Sequence, residues 1–192
     1  MDRYWPAEWT PQSRIWVGWP RLAHEWSGLM DRARREIADV VDALVQHVPV
    51  RVAAGADEAA AIARRALPSA AEIVMIPTGD IWLRDTGPVV METGTGALIA
   101  NQFAFNGWGG KFDMPGDTET AAALAAAESL PTRAYPFVLE GGAIEGDGAG
   151  RVLTTRQCLL HRNRNQWTKA RAETALDESL GARSVYWIDE GL

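Results

Sequence analysis

Two successive stretches of this 192-residue chain follow the same pattern of hairpin, helix and strand. The first opens at the hairpin Gly94-Thr95-Gly96, runs through an alanine-rich helix over residues 121–130 and ends in a strand over 135–139. The second opens at Asp147-Gly148-Ala149-Gly150, runs through a helix over 170–180 and ends in a strand over 184–188. The units therefore cover roughly 86–139 and 140–189, a spacing of about 50 residues, in the range where supersecondary units stack or surround an axis because one alone cannot bury its apolar face.

The rest of the chain alternates in the same way. Short apolar runs read as strands over 14–19, 50–54, 73–76, 89–92, 97–105 and 151–155. The clearest helix places Leu29, Ala33, Ile37, Val40, Val41, Leu44 and Val48 on one face. Asp57 and Asp117 are expected N-caps of two alanine-rich helices, and Gly181 the C-cap of a helix starting near Asn165. The segment before residue 86 looks like a permuted or partial copy of the repeated unit. An α/β fold is predicted, and a closed ring of such units is expected to need more chain than this.

Composition removes several function classes. A net charge of −6 and no dense Lys/Arg block argue against nucleic acid and fit a small cationic ligand better. No apolar run reaches the roughly 20 residues of a membrane span, and the start, Met1 to Pro6, lacks the basic and apolar regions of a signal peptide. The single cysteine, Cys158, excludes an internal disulfide framework and a cysteine-rich zinc site, so a cytoplasmic setting without metal or other cofactor is expected. Nine Trp against three Tyr and four Phe is unusual. Trp walls pockets for flat ligands, although most Trp residues simply pack.

Three stretches hold more Gly, Trp and carboxylate than packing requires. In Thr78-Gly79-Asp80-Ile81-Trp82-Leu83-Arg84-Asp85-Thr86-Gly87-Pro88, a carboxylate lies near Trp82 on a connection after a strand. Asp85 could accept two parallel N–H bonds from a guanidinium while an indole covers the planar cation. It could equally pair with Arg84 or cap the turn. The second stretch, Phe103 through Asn106-Gly107-Trp108-Gly109-Gly110 to Lys111, suits close approach to a ligand or an ordinary loop. In the third, Leu139-Glu140-Gly141-Gly142, Glu140 ends an apolar strand, where a charge is costly unless paired or chemically employed. It could bind a guanidinium and move protons, or it could have a structural partner such as an Arg.

The remaining candidates are weaker. His24, His47 and His161 show no metal-ligand spacing. Cys158 reads as a buried, inert thiol. Arg162-Asn163-Arg164-Asn165 could bind an anion but reads as a solvated turn leading into a helix. Neither a phosphate-binding Gly-rich loop nor a Gly-x-Ser-x-Gly elbow is present.

Taken together, these stretches resemble the agmatine deiminase family, which includes the bacterial type of peptidylarginine deiminase. The matching pieces are Pro6 to Trp9 with Trp16 to Pro20, Gly79 to Pro88, Phe105 to Lys111, Leu139 to Gly142, and Leu153-Thr154-Thr155 through Cys158 to Asn165. The resemblance implies a pentein fold, an α/β propeller of ββαβ modules, with residues 1–192 as the N-terminal portion of a single pentein domain and the ring incomplete. It implies a Cys thiolate attacking a guanidinium carbon, ammonia leaving, and water releasing a ureido product. Trp82 would wall the site, Asp85 would hold the guanidinium nitrogens, and Glu140 would bind substrate and assist proton transfer. The catalytic His and Cys that it implies would follow Leu192, and Cys158 aligns with a non-catalytic cysteine. The expected parent is an agmatine deiminase of putrescine and polyamine synthesis, with this chain inactive alone. A peptidylarginine or arginine deiminase is the near alternative. A binding module for cations or sugars, or a glycosidase using Asp85 and Glu140 as paired acids, is the reading from a different class. Exposed module edges would favour a homo-oligomer.

Overall fold

The computed structural model describes residues 3–191; Met1, Asp2 and Leu192, which bound the terminal segments read above, lie outside the described residues. In chain order the elements begin β1 (Arg3–Tyr4), β2 (Ile15–Gly18), α1 (Met30–Leu44), β3 (Val50–Ala54), α2 (Asp57–Ala66), β4 (Glu72–Met75) and α3 (Leu83–Thr86). They continue β5 (Val89–Thr93), β6 (Leu98–Ala104), α4 (Gly107–Gly110), α5 (Thr120–Ala127), β7 (Thr132–Val138), β8 (Ile144–Gly146), β9 (Arg151–Thr155), α6 (Arg156–Leu159), α7 (Lys169–Leu180) and β10 (Ser184–Ile188). The chain divides into two compact units. One holds the chain up to Thr10, Arg84–Asp113 and everything from Leu124 onward; the other holds Pro11–Leu83 and Met114–Ala123.

The second unit is built on a parallel sheet in the order β2-β3-β4. Its central strand is buried at Val50, Val52, Ala53 and Ala54, the near-continuous apolar run expected of a parallel strand covered on both faces. Val41 of α1 and Ala59 and Ala63 of α2 pack into that core with Trp19, Leu67 and Ala71. Within α1 only Ala33 and Val41 are buried, whereas Val40 and Leu29 are exposed, so the apolar stripe is narrower than its sequence pattern predicts. Asp57 and Glu58 begin α2 while Arg64 and Arg65 end it, matching the helix dipole at both ends. Asp57 is its first residue rather than its cap, which is Ala56.

The first unit holds two sheets, β1-β5-β6-β7 and β10-β9-β8. In each, an antiparallel hairpin (β5 with β6, β8 with β9) is followed by a parallel pairing (β6 with β7, β9 with β10). Strands β8 and β1 were not legible in the sequence, being three and two residues long. Helix α7 is capped by Thr168, whose hydroxyl accepts from Arg171 N–H, and ends at Gly181 with φ 68°, a left-handed C-cap that favours glycine. Its buried face, Ala172, Leu176 and Leu180, packs with Val89, Met91, Leu139, Ile144, Val152 and Leu159. Between Phe103 and Ala104 the register with β7 slips, so that Tyr135 and Val138 become the successive partners. Pro136 lies within the slipped stretch and has no N–H for the ladder. The resulting bulge re-aims the chain as it enters Leu139 and Glu140.

Among the described residues no helix is long and apolar enough to cross a membrane.

Candidate active site

In the first unit, the loop after β6, the turn after β7 and the turn after β9 all lie just past the carboxyl ends of strands in parallel pairings. Ligand sites of α/β sheets gather at such ends. Asp85 joins them from α3, because β5 runs antiparallel to β6 and so begins where β6 ends.

The Asp85 carboxylate is aimed from both sides. Its Oδ2 accepts the indole N–H of Trp108 at 3.1 Å, and its Oδ1 accepts the backbone N–H of Gly142 at 3.0 Å. A Cβ at position 142 would run into Asp85 Oδ1, so glycine is required for this approach. Trp108 has left-handed backbone angles, φ 56° and ψ 45°, which is strain for a bulky residue and is concentrated at functional sites. Phe105 meets its ring edge-on, with centroids 4.9 Å apart at 88°. Arg84 does not serve Asp85. It pairs with Glu8 and Glu145, and its Nε donates to the Gly141 carbonyl.

Glu140 is 2% exposed and paired with Arg164, whose side chain is 10% exposed. The Arg164 Nε donates to both carboxylate oxygens, at 2.8 and 3.0 Å. Burial opposes the charge on Arg164, but the hydrogen bond and negative charge of Glu140 hold its pKa above the ordinary value, with Cys158 and Asp85 adding to the effect. The flanking residues are tied down as well. Asn163 Nδ2 donates to the Gly109 carbonyl and its own carbonyl accepts from Asn106 Nδ2, while Asn165 bonds both the N–H and the C=O of Val138. Residues 163–165 are therefore a clamp on two site loops, which corrects the expectation of a solvated turn. The signal available in the sequence was three polar residues with planar hydrogen-bonding groups in a row. It does not reveal the clamp, because their partners are 24 to 57 residues away.

Cys158, half-buried on α6, lies in the same electrostatic neighbourhood. Burial pushes its thiol pKa up, Glu140 and Asp85 push it further, and Arg164 and Lys111 pull the other way. A thiol whose pKa is raised is predominantly protonated at neutral pH and a poor nucleophile. Among the described residues no group of three or more His, Cys, Asp or Glu is placed to hold a metal.

Asp85 and Glu140 thus stand together in one unit. Trp82 belongs to the other. There its indole is 56% exposed and hydrogen-bonds the Asp80 carboxylate. The turn leading to it is fastened by Asp117, whose Oδ1 accepts from Gly79 N–H at 2.6 Å, Asp80 N–H at 3.2 Å and the Thr78 hydroxyl at 3.4 Å. Asp117 is consequently not the N-cap of α5: its carboxylate is turned to a loop distant in sequence, and its Oδ2 is buried with no hydrogen-bond partner.

The mixed α/β fold is that of solved agmatine deiminases. The Enterococcus faecalis enzyme superposes with a TM-score of 0.92 at 30% identity, over 98% of this chain and 53% of that one. A C. jejuni agmatine deiminase with substrate bound gives 0.89 at 26% identity, over 100% and 57%. That fold places the molecule in the pentein class. The chain belongs to the Porphyromonas-type peptidyl-arginine deiminase family, whose sequence profile matches residues 4–192. Among curated relatives, the agmatine deiminase of Stutzerimonas stutzeri is 38% identical over 98% of this chain and 53% of its own length. That of Ectopseudomonas mendocina is 36% identical over 97% and 53%. The chain spans about half the length of the curated relatives it matches.

Proposed function

We propose that the protein is an agmatine deiminase-type hydrolase of amidine C–N bonds, and that this chain supplies the carboxylates that hold the substrate guanidinium. The observation that carries the reading is the aimed Asp85 carboxylate: each oxygen is fixed by one N–H donor and keeps a lone pair for a ligand. The relatives named agmatine deiminase supply the substrate. A guanidinium stays protonated in water and its carbon is shielded by delocalised charge, so it must be oriented before attack. Asp85 accepts two of its N–H groups. Glu140 accepts a further one and assists the transfer of a proton onto the nitrogen that leaves as ammonia.

In this scheme a cysteine thiolate bonds to the guanidinium carbon, the C–N bond to the departing nitrogen breaks, and ammonia leaves. Water then adds to the thiouronium carbon and the C–S bond breaks, giving N-carbamoylputrescine and the free thiolate. Cys158 is not assigned that role, because burial and then Glu140 and Asp85 push its thiol pKa up. The reaction feeds putrescine and polyamine synthesis in the cytoplasm.

The test is calorimetric titration of the chain with agmatine and, separately, with an oligosaccharide. Agmatine binds and the sugar does not, and Asp85→Asn or Glu140→Gln weakens agmatine by about tenfold or more, the loss expected for one charge-assisted bond. Sugar binding without agmatine binding overturns the reading.

A further inference from the structure

We infer that Arg164 is a positioning residue for guanidinium recognition: held by its neighbours Asn163 and Asn165, it fixes Glu140 at the angle at which the carboxylate still has bonds to give. The inference rests on the proposed guanidinium site and adds to it a residue that does not touch the substrate.

Three observations carry it. First, one donor, Nε, straddles both Glu140 oxygens at 2.8 and 3.0 Å. A carboxylate has about four lone-pair sites, and this contact uses only those facing Arg164. A side-on fork of Nε and a terminal nitrogen would fix the same charge but present two donors to it. Second, Arg164 is anchored against movement. Asn165 bonds both backbone groups of Val138, two residues before Glu140, so carboxylate and guanidinium hang from backbone segments tied to each other. Asn163 ties the same three-residue strap to Asn106 and Gly109, on the loop that carries the Trp108 indole to Asp85. One strap thus sets the placement of both carboxylates. Third, Arg164 is the countercharge that Glu140 has at hydrogen-bond distance, while Asp85 is held by two uncharged N–H donors and meets no cation in those bonds. Without Arg164 the buried Glu140 carboxylate would lose both its countercharge and the donor that fixes its angle.

The chain carries its own reporter, because Cys158 is its single cysteine and its thiol responds to Arg164, Glu140, Asp85 and Lys111. The experiment compares wild type with Arg164→Lys and Arg164→Gln, measuring agmatine affinity by calorimetry and the pH midpoint of Cys158 alkylation. Arg164→Lys keeps the charge but replaces the planar guanidinium with a mobile point charge. Its Cys158 midpoint should stay near that of wild type while agmatine affinity falls about tenfold. Arg164→Gln should raise the midpoint and lose agmatine binding. Wild-type affinity in Arg164→Lys overturns the inference and leaves the guanidinium site standing; absence of agmatine binding by wild type overturns both. Should Arg164→Lys not fold, Asn165→Ala, which leaves the Arg164 side chain intact, is read in its place, and unchanged agmatine affinity there overturns the inference.

Discussion

Arg164 and Glu140 form an ion pair in which both side chains are almost entirely withdrawn from water, 10% and 2% exposed. Such a pair is a weak source of net stability but is strongly destabilising to break, because the survivor is left charged in a poorly solvated place. Arg164→Ala is therefore expected to cost about 3–5 kcal/mol by urea unfolding. The double variant with Glu140→Gln should recover part of that loss. A double-mutant cycle with coupling near zero would show that the two groups do not feel each other in solution.

The Asp85 carboxylate owes its orientation to one indole N–H and one backbone N–H. Trp108→Phe keeps an aromatic ring to meet Phe105 edge-on and removes the donor. Gly142→Ala places a methyl group against Asp85 Oδ1. Each should weaken agmatine binding by roughly tenfold, about 1.4 kcal/mol. Undiminished affinity in both variants would mean that Asp85 needs no aiming.

Cys158 should alkylate slowly at neutral pH, with a midpoint above that of an ordinary cysteine, because burial and then Glu140 and Asp85 disfavour the thiolate. A guanidinium bound beside those carboxylates adds positive charge near the sulfur, so saturating agmatine should move the midpoint down. Rates of iodoacetamide reaction across pH, with and without agmatine, measure both shifts. A midpoint that agmatine does not move would place the ligand away from Asp85 and Glu140.

The carboxylates were legible in the sequence because each breaks a local rule: Glu140 ends an apolar strand and Asp85 lies in a Trp-bearing turn before Gly-Pro. Strands 50–54, 151–155 and 184–188 were legible from their apolar runs and coincide with the structure. The clamp of Asn163, Arg164 and Asn165 was not, since nothing in a polar tetrapeptide says which distant groups it will meet. The role of Asp117 was hidden for the same reason. Preceding an alanine-rich helix it matched the pattern of an N-cap, yet three donors from residues 78–80 outcompete the helix end for its carboxylate. Arg84, next in sequence to Asp85, was drawn instead to Glu8 and Glu145.

That carboxylate also makes the second unit sensitive to acid in an unusual direction. Burial raises the pKa of Asp117 despite its bonds from Gly79, Asp80 and Thr78 and the nearby charge of Arg21. Burial likewise raises Asp80, and the negative charges of Asp117 and Glu25 add to it against the bonds from Ile81 and Trp82. Both groups therefore hold a proton more tightly folded than unfolded. Between the ordinary carboxylate value and the raised one the folded state binds more protons, so stability falls as pH rises through that window and returns on acidification. Asp117→Asn removes the titration while its Oδ1 still accepts from Gly79 and Asp80, and its amide nitrogen can replace the unpartnered Oδ2. Urea unfolding at a series of pH values just above the ordinary carboxylate range should give a shallower downward slope for Asp117→Asn than for wild type. Identical slopes would mean that Asp117 is ionised in the folded chain as readily as in the unfolded one, and that its clamp on residues 78–80 is made without a penalty for burying charge.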